Sequence, residues 1–321
     1  MVSDGRVLAL DVGGTKLAAG LVDLEGRVLR REQVATPVTT DPEEVWAAVE
    51  ALLVTTSAGQ HVSGVGIGCG GPMLWPDGEV SPLNIPAWRG FPLLARVRSL
   101  VGDARPAAIH NDAVAMALAE ARWGAGRGRR YVLGMVVSTG VGGGLVVEGR
   151  VVDGATGNAG HIGHVVVDPD GPPCACGGRG CLEAVARGPA VAAHAVALGW
   201  TGEQTGQGVA QGARSGDPAC RAAFARAGHA LGVAVASAAA LLDLDVVVVG
   251  GGLAAAGDLL LAPAQRAFDA HARLDFVRRC RILPAALGQD AGIAGAAALV
   301  LDEIALRPAS RFWDTDWSEP D

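Results

Sequence analysis

Lysine is almost missing from this 321-residue chain: among 26 basic residues Lys16 is the only one, and the rest are arginine. A GC-rich genome, which favours Arg, Ala and Gly codons, accounts for the bias, and the single lysine falls inside "DVGGTK", Asp11 to Lys16. A basic surplus is missing as well. A net charge of −7 leaves no excess of cations to neutralise a phosphate backbone, so nucleic acid is not expected as a partner. Cysteine is scarce, with six residues. In a chain of this length that number argues for free thiols or a metal site, not a disulfide framework. No cationic segment followed by an apolar core comes before the first strand, and the expectation is a cytoplasmic protein. The longest apolar stretch, Ala230 to Leu242, is shorter than the roughly 20 residues that span a bilayer. Asp243 and Asp245 follow it, so no membrane partner is expected.

What is present is apolar bulk. Half of the residues are hydrophobic, enough for a sizeable core divided between two domains. Short segments rich in aliphatic and β-branched residues and closed by Gly or Asp read as strands: "RVLALDVGG", "LAAGLVDLEG", "RVLRREQV", "VSGVGIGCG" and "AAIHND". "DPEEVWAAVEALLVTTSA" carries a helix-start signature, with an Asp cap, a Pro in the first turn and early acidic residues. After Asn111 the pattern turns helical in "DAVAMALAEARWG", then returns to strand in "YVLGMVVSTG" and "GGGLVVEG". Alanine-rich helices through residues 189–242, a buried strand at "VVVVGGG", a helix from about Asp258 and a late strand in "RCRILPAAL" complete an alternation that predicts an α/β protein.

Two segments share one plan. Asp11 to Leu29 and Val137 to Val152 each read as a Gly- and Thr-containing turn, a strand, a Glu-Gly-Arg-Val reversal and a further strand. Such duplicated hairpins predict two similar domains facing each other across a cleft. Glycines at the turns let backbone N–H groups approach a phosphate, and the hydroxyls of Thr15, Ser138 and Thr139 add donors.

"DVGGTK" at 11–16, Asn111-Asp112, "STGVGGG" at 138–144 and the His164 to Glu183 segment with its Cys-x-Cys-x4-Cys together resemble the ROK family of sugar kinases and sugar-responsive repressors. That family lies within the actin-like ATPase superfamily. The likeness runs in order along essentially the whole chain. It implies an α/β fold of two ribonuclease-H-like (actin-like ATPase) domains flanking a cleft where ATP and sugar meet. The expected boundaries are 1–115, completed by a C-terminal helix at 290–306, and 116–289 with a zinc loop at 160–188.

The resemblance also assigns roles. His164, Cys174, Cys176 and Cys181 offer one imidazole and three thiolates, the ligand set of a closed structural zinc site with no position left for water. Cys69, Cys220 and Cys280 lack such neighbours and read as core thiols. Asp112, at the start of a helix after a strand, is equally an N-cap or a general base by position; the family pattern makes it the base. Asn111, Asn84, His164 and Glu183 are expected on the sugar, Asp11 on Mg²⁺, and Gly13, Gly14, Thr15, Lys16, Ser138, Thr139, Gly140 and Gly142 on the phosphates of ATP. Gly250, Gly251 and Gly252 are expected beside the nucleoside.

One position departs from the family pattern. A glutamate usually stands three residues before the zinc histidine, and here it is His161. A carboxylate only accepts hydrogen bonds, whereas a neutral imidazole offers one donor and one acceptor, so the preferred sugar is open. Glucose phosphorylated at its 6-hydroxyl is the leading expectation. The alternatives are N-acetylmannosamine, glucosamine, a 3-amino-3-deoxyglucose such as kanosamine, and a non-catalytic sugar sensor. Polyphosphate is the lesser donor. Family repressors carry a DNA-binding domain ahead of this motif, and Asp11 stands too early in the chain for one. The resemblance implies a homo-oligomer, dimer or tetramer.

Overall fold

A three-stranded antiparallel meander opens the fold: β1 (Arg6–Val12), β2 (Lys16–Asp23) and β3 (Val28–Ala35). The computed structural model describes residues 5–306. Asp41 then caps α1 (Pro42–Ser57) by accepting from the Glu43 N–H, with Pro42 in the first turn where a missing N–H is harmless. β4 (Gly64–Cys69) lies parallel to β1. A short hairpin, β5 (Met73–Leu74) and β6 (Glu79–Val80), leads to α2 (Leu93–Val101) and to β7 (Ala107–Asn111), which pairs parallel with β4. The sheet order is β3-β2-β1-β4-β7.

The second lobe repeats this plan. α3 (Asp112–Arg122) crosses to a second meander of β8 (Tyr131–Val137), β9 (Val141–Val147) and β10 (Arg150–Val151). After the long loop come α4 (Leu182–Ala186), α5 (Gly188–Ala197), α6 (Gly206–Arg214) and α7 (Pro218–Leu242). β11 (Val246–Gly250), α8 (Asp258–His271), β12 (Arg281–Pro284) and α9 (Ala291–Leu306) follow. The order β10-β9-β8-β11-β12 matches the first sheet strand for strand. At the two equivalent reversals Gly26 and Gly149 take φ of 84° and 77°, the left-handed region that glycine enters without steric cost. The duplicated Glu-Gly-Arg-Val segments are therefore duplicated turns.

The two lobes interlock through their helices. α9 returns to rest on β1 and β4, while α3 rests on β8 and β9, and the two helices pack on each other. Backbone approaches this close exclude side chains. A Cβ on Gly66 would stand 1.7 Å from the Ala296 carbonyl oxygen, and one on Gly295 would stand 2.3 Å from that of Ala115.

The helix containing Ala230 to Leu242 begins at Pro218, and at 25 residues it is long and apolar enough to cross a bilayer by length and composition. The shorter stretch considered in the sequence understated it, because the arginines and glycines before Ala230 do not interrupt the helix. Its Ala227, Leu231, Ala234 and Val235 are nevertheless the middle of the second lobe's core, against α8. Two further differences are local. The strand expected through "AAIHND" stops at Asn111, because the Asn111 side chain accepts from the Ala113 N–H and turns the chain into α3. The late strand is confined to Arg281–Pro284.

Candidate active site

Asp11 and Asp112 arrive at the cleft from different elements, Asp11 near the end of β1 and Asp112 at the first position of α3. Both are largely withdrawn from water. Burial, and then the neighbouring charge of Asp112, raises the Asp11 pKa to about 6, against the pull of Lys16 and Arg31. Burial raises Asp112 too, opposed by the backbone N–H groups of Ala113 and Asp112 and by His161. His161 is near enough to Asp112 for its charge to be felt there. The polar atoms of the pair at 111–112 are partly committed. Asn111 Oδ1 and Asp112 Oδ1 both accept from the Ala113 N–H, at 3.0 and 2.9 Å. That leaves the Asn111 amide to donate and Asp112 Oδ2 to accept.

The first Gly turn is closed by the Gly13 N–H donating to the Lys16 carbonyl. Gly14 lies against Asn84, whose Cβ would be 2.3 Å from a Cβ at position 14, so the turn and the "NIPAW" loop meet. Thr15 and Lys16 are exposed at its tip. The second turn is closed by the Ser138 N–H donating to Gly140, and Thr139 is exposed at its tip. The Ser138 carbonyl accepts from the Gly188 N–H, and the Ser138 hydroxyl faces Gly252. Gly250 and Gly251 complete the strand-to-loop turn beside Val137. Gly142 belongs to β9, paired with Val136, where its bare backbone admits Ala113 at the start of α3. Glu183 Oε2 accepts from the Val141 N–H at 2.8 Å, tying α4 to this second turn.

The cysteine-rich loop brings its four expected ligands together. One donor atom each from His164, Cys174, Cys176 and Cys181 lies within 4.8 Å of the others. The Cys176–Cys181 sulfur separation is 3.7 Å, and His164 Nδ1 to Cys174 Sγ is 3.9 Å. A tetrahedron with Zn–S bonds of about 2.3 Å has edges of about 3.8 Å, so the donor set fits zinc in size, number and chemistry. With Nδ1 turned to the cluster, His164 has Nε2 left for another partner. The His161 and His164 rings lie 6.1 Å apart and 11° from parallel. Their turn is pressed on β9: a Cβ at Gly163 would stand 1.9 Å from the Val141 carbonyl oxygen. Cys69, Cys220 and Cys280 are fully buried core thiols.

Comparison with known proteins gives this arrangement a family. The ROK family pattern spans residues 7–303. The chain belongs to the ROK family. It is 32% identical to the glucokinase of Thermotoga maritima over 314 residues, covering 93% of this chain and 98% of that one. It is 35% identical to the N-acetylmannosamine kinase of Yersinia pseudotuberculosis over 299 residues, covering 91% and 97%. A ROK family glucokinase from Streptomyces griseus, solved in complex with glucose and AMPPNP, superposes with a TM-score of 0.78 at 34% identity, covering 93% and 100%.

Sequence reasoning missed several residues that build this ROK site. Thr36 donates to the Gly13 carbonyl at 2.7 Å and braces the first turn. Arg31 bonds Asp290 at 3.2 Å and lends positive potential to Asp11. Gly292, at the start of α9, leaves room for Asp11, since a Cβ there would be 2.4 Å from Asp11 Oδ2. Glu120 is fully buried, and its carboxylate accepts from the N–H groups of Ala125, Ala286 and Leu287. It thereby fixes the loop before α9. None has a local signature, because apart from Ala125, five residues after Glu120, the partners lie far away in sequence.

Proposed function

We propose that this ROK protein is an ATP-dependent hexose kinase that phosphorylates the 6-hydroxyl of its sugar, with glucose the first substrate. The observation that carries the reading is the Asn111-Asp112 pair at the head of α3, with a free amide and a free carboxylate oxygen facing a cleft that also holds Asp11. The likeness to glucokinases along nearly the whole chain supports it.

In this reading the Asn111 amide and His164 Nε2 orient sugar hydroxyls, with Glu183 and Asn84 at the pocket edge. Asp112 Oδ2 receives the proton of the attacking hydroxyl, and burial raises its basicity toward neutral pH. The turns at Gly13 to Lys16 and Ser138 to Gly142 receive the phosphates, with Lys16 screening their charge. Gly250 to Gly252 line the nucleoside side. Asp11 would hold Mg²⁺, which supplies charge neutralisation on the phosphates when bound. The His164, Cys174, Cys176 and Cys181 cluster would hold zinc, whose part is to fix the 160–188 loop.

His161 supports a second reading, a kinase for an amino sugar such as N-acetylmannosamine, because its imidazole can donate where a carboxylate cannot. The test is a panel of hexoses and amino hexoses with ATP and Mg²⁺, followed by coupled ADP release. Glucose-dependent ADP release is expected. Sugar binding without ADP release from any member would overturn the kinase reading in favour of a sensor.

A further inference from the structure

His110, the residue before Asn111, is the one buried imidazole in contact with both lobes among the described residues. Its side chain is 5% exposed. The Asn111 N–H donates to His110 Nδ1 at 2.8 Å, so Nδ1 carries no proton and the proton resides on Nε2. Nε2 lies 3.1 Å from Asp153 Oδ1 and donates to it. Burial holds the imidazole below its ordinary pKa despite the Asp153 carboxylate, which keeps this tautomer at neutral pH.

The two bonds join different parts of the sugar site. Asn111 begins the pair that meets the sugar. Asp153 follows β10 in the second lobe and starts the loop that ends at His161. The Asp153 carbonyl also accepts from the Ala159 N–H at 3.1 Å, closing that loop on itself. Gly157, at its tip, fits against Trp75 of the first lobe, with a would-be Cβ only 2.6 Å from the Trp75 Cβ. The Trp75 ring stands 6.3 Å from that of His110. A cavity of about 280 Å³, lined by Trp75, Arg98, His110 and Asp153, borders the ring. Packing is therefore incomplete around the ring, and its two hydrogen bonds set its orientation.

We propose that His110 is a positioning residue that latches the second lobe's 153–160 loop to the first lobe and so fixes the sugar-side wall of the cleft. One nitrogen sets the Asn111 backbone and the other holds Asp153, so the spacing between Asn111 and His161 depends on this ring. The inference rests on the sugar-kinase reading. It concerns sugar affinity and leaves the nucleotide side untouched.

The test uses the full-length, metal-loaded protein. In His110→Asn the shorter amide can still take the Asn111 N–H but cannot reach Asp153. Asp153→Ala removes the other end, and Asp153→Asn keeps an acceptor. Both His110→Asn and Asp153→Ala should raise the sugar KM about tenfold, the scale of one lost charge-assisted hydrogen bond. The ATP KM should stay unchanged, and Asp153→Ala should keep its kcat. The double variant should be no worse than the weaker single, because both cut the same link. Asp153→Asn should restore most of the affinity. Calorimetric titration with the sugar alone repeats the comparison without catalysis, so an inactive wild type would count against the kinase reading only. Unchanged sugar affinity in both singles, additive losses in the double, or an equal rise in both KM values would overturn the latch.

Discussion

Replacing Asp11 by Asn should stabilise this protein while disabling it, and the gain should depend on pH in a defined direction. Asp11 is held from the ordinary 3.8 up to about 6, chiefly by burial and then by Asp112. Below about pH 3 both folded and unfolded chains carry the proton, and the residue contributes no pH-dependent difference. Between 3.8 and about 6 the folded chain keeps a proton the unfolded chain has lost, so stability falls as pH rises through this window. Above it both states are ionised and the folded state bears the full cost, about 3 kcal/mol. Asn at position 11 removes that cost. Urea unfolding of wild type and variant across the window should show nearly equal stability at about pH 3 and a variant advantage approaching about 3 kcal/mol at about pH 8. Mg²⁺ with nucleotide should stabilise the wild type more than the variant, narrowing the gap. A variant no more stable than wild type at the alkaline end, or an advantage of the same size at both ends, would refute the reasoning.

Asp112→Asn should fold normally and lose turnover by roughly 10² to 10⁴, the range for removing a general base, read by coupled ADP release. Purified protein should contain about one zinc per chain by elemental analysis, and Cys174→Ser should weaken sugar binding more than ATP binding while the melting transition survives, because most of the second lobe's core comes from residues outside the 160–188 loop. His161→Glu should shift the ratio of kcat/KM between glucose and other hexoses and leave Mg-ATP affinity unchanged; identical ratios across the panel in His161→Glu and His161→Ala would place specificity elsewhere.

The parts legible in the sequence are those whose partners are near in sequence. Asp41 with Pro42 announces α1 because the capping carboxylate and the Glu43 N–H that donates to it are two residues apart. The four residues of the thiol and imidazole cluster lie within 18 positions, and the turns at Gly177 and Gly180, both at positive φ, bring them together. The junction at Asn111 and Asp112 was readable because an apolar strand pattern closes there and a helical one begins. Thr36, Arg31, Glu120 and Gly292 were not, since each acts across a gap that only the folded sheets close. The β5–β6 hairpin was illegible for another reason: two-residue strands are too short to show alternation.

The duplicated topology explains why the charged groups gather where they do. α3 follows β7 and packs on the second sheet, while α9 returns to the first, so the head of each helix lies beside a strand of the sheet it packs on. Ala113, next to Asp112 at the head of α3, lies against Gly142 of β9, and Asp11 of β1 meets Gly292 at the head of α9. At Gly66, Gly134 and Gly295 the two helices are seated backbone against backbone, with no side chain between. Three further segments stand apart from the helix pair: the exposed tips at Thr15 to Lys16 and at Thr139, and the 153–164 segment. On the kinase reading the first two would receive phosphate. The third is tied back to β7 through Asp153 and His110, one residue before the Asn111-Asp112 pair, so the latch proposed for His110 ends at that pair.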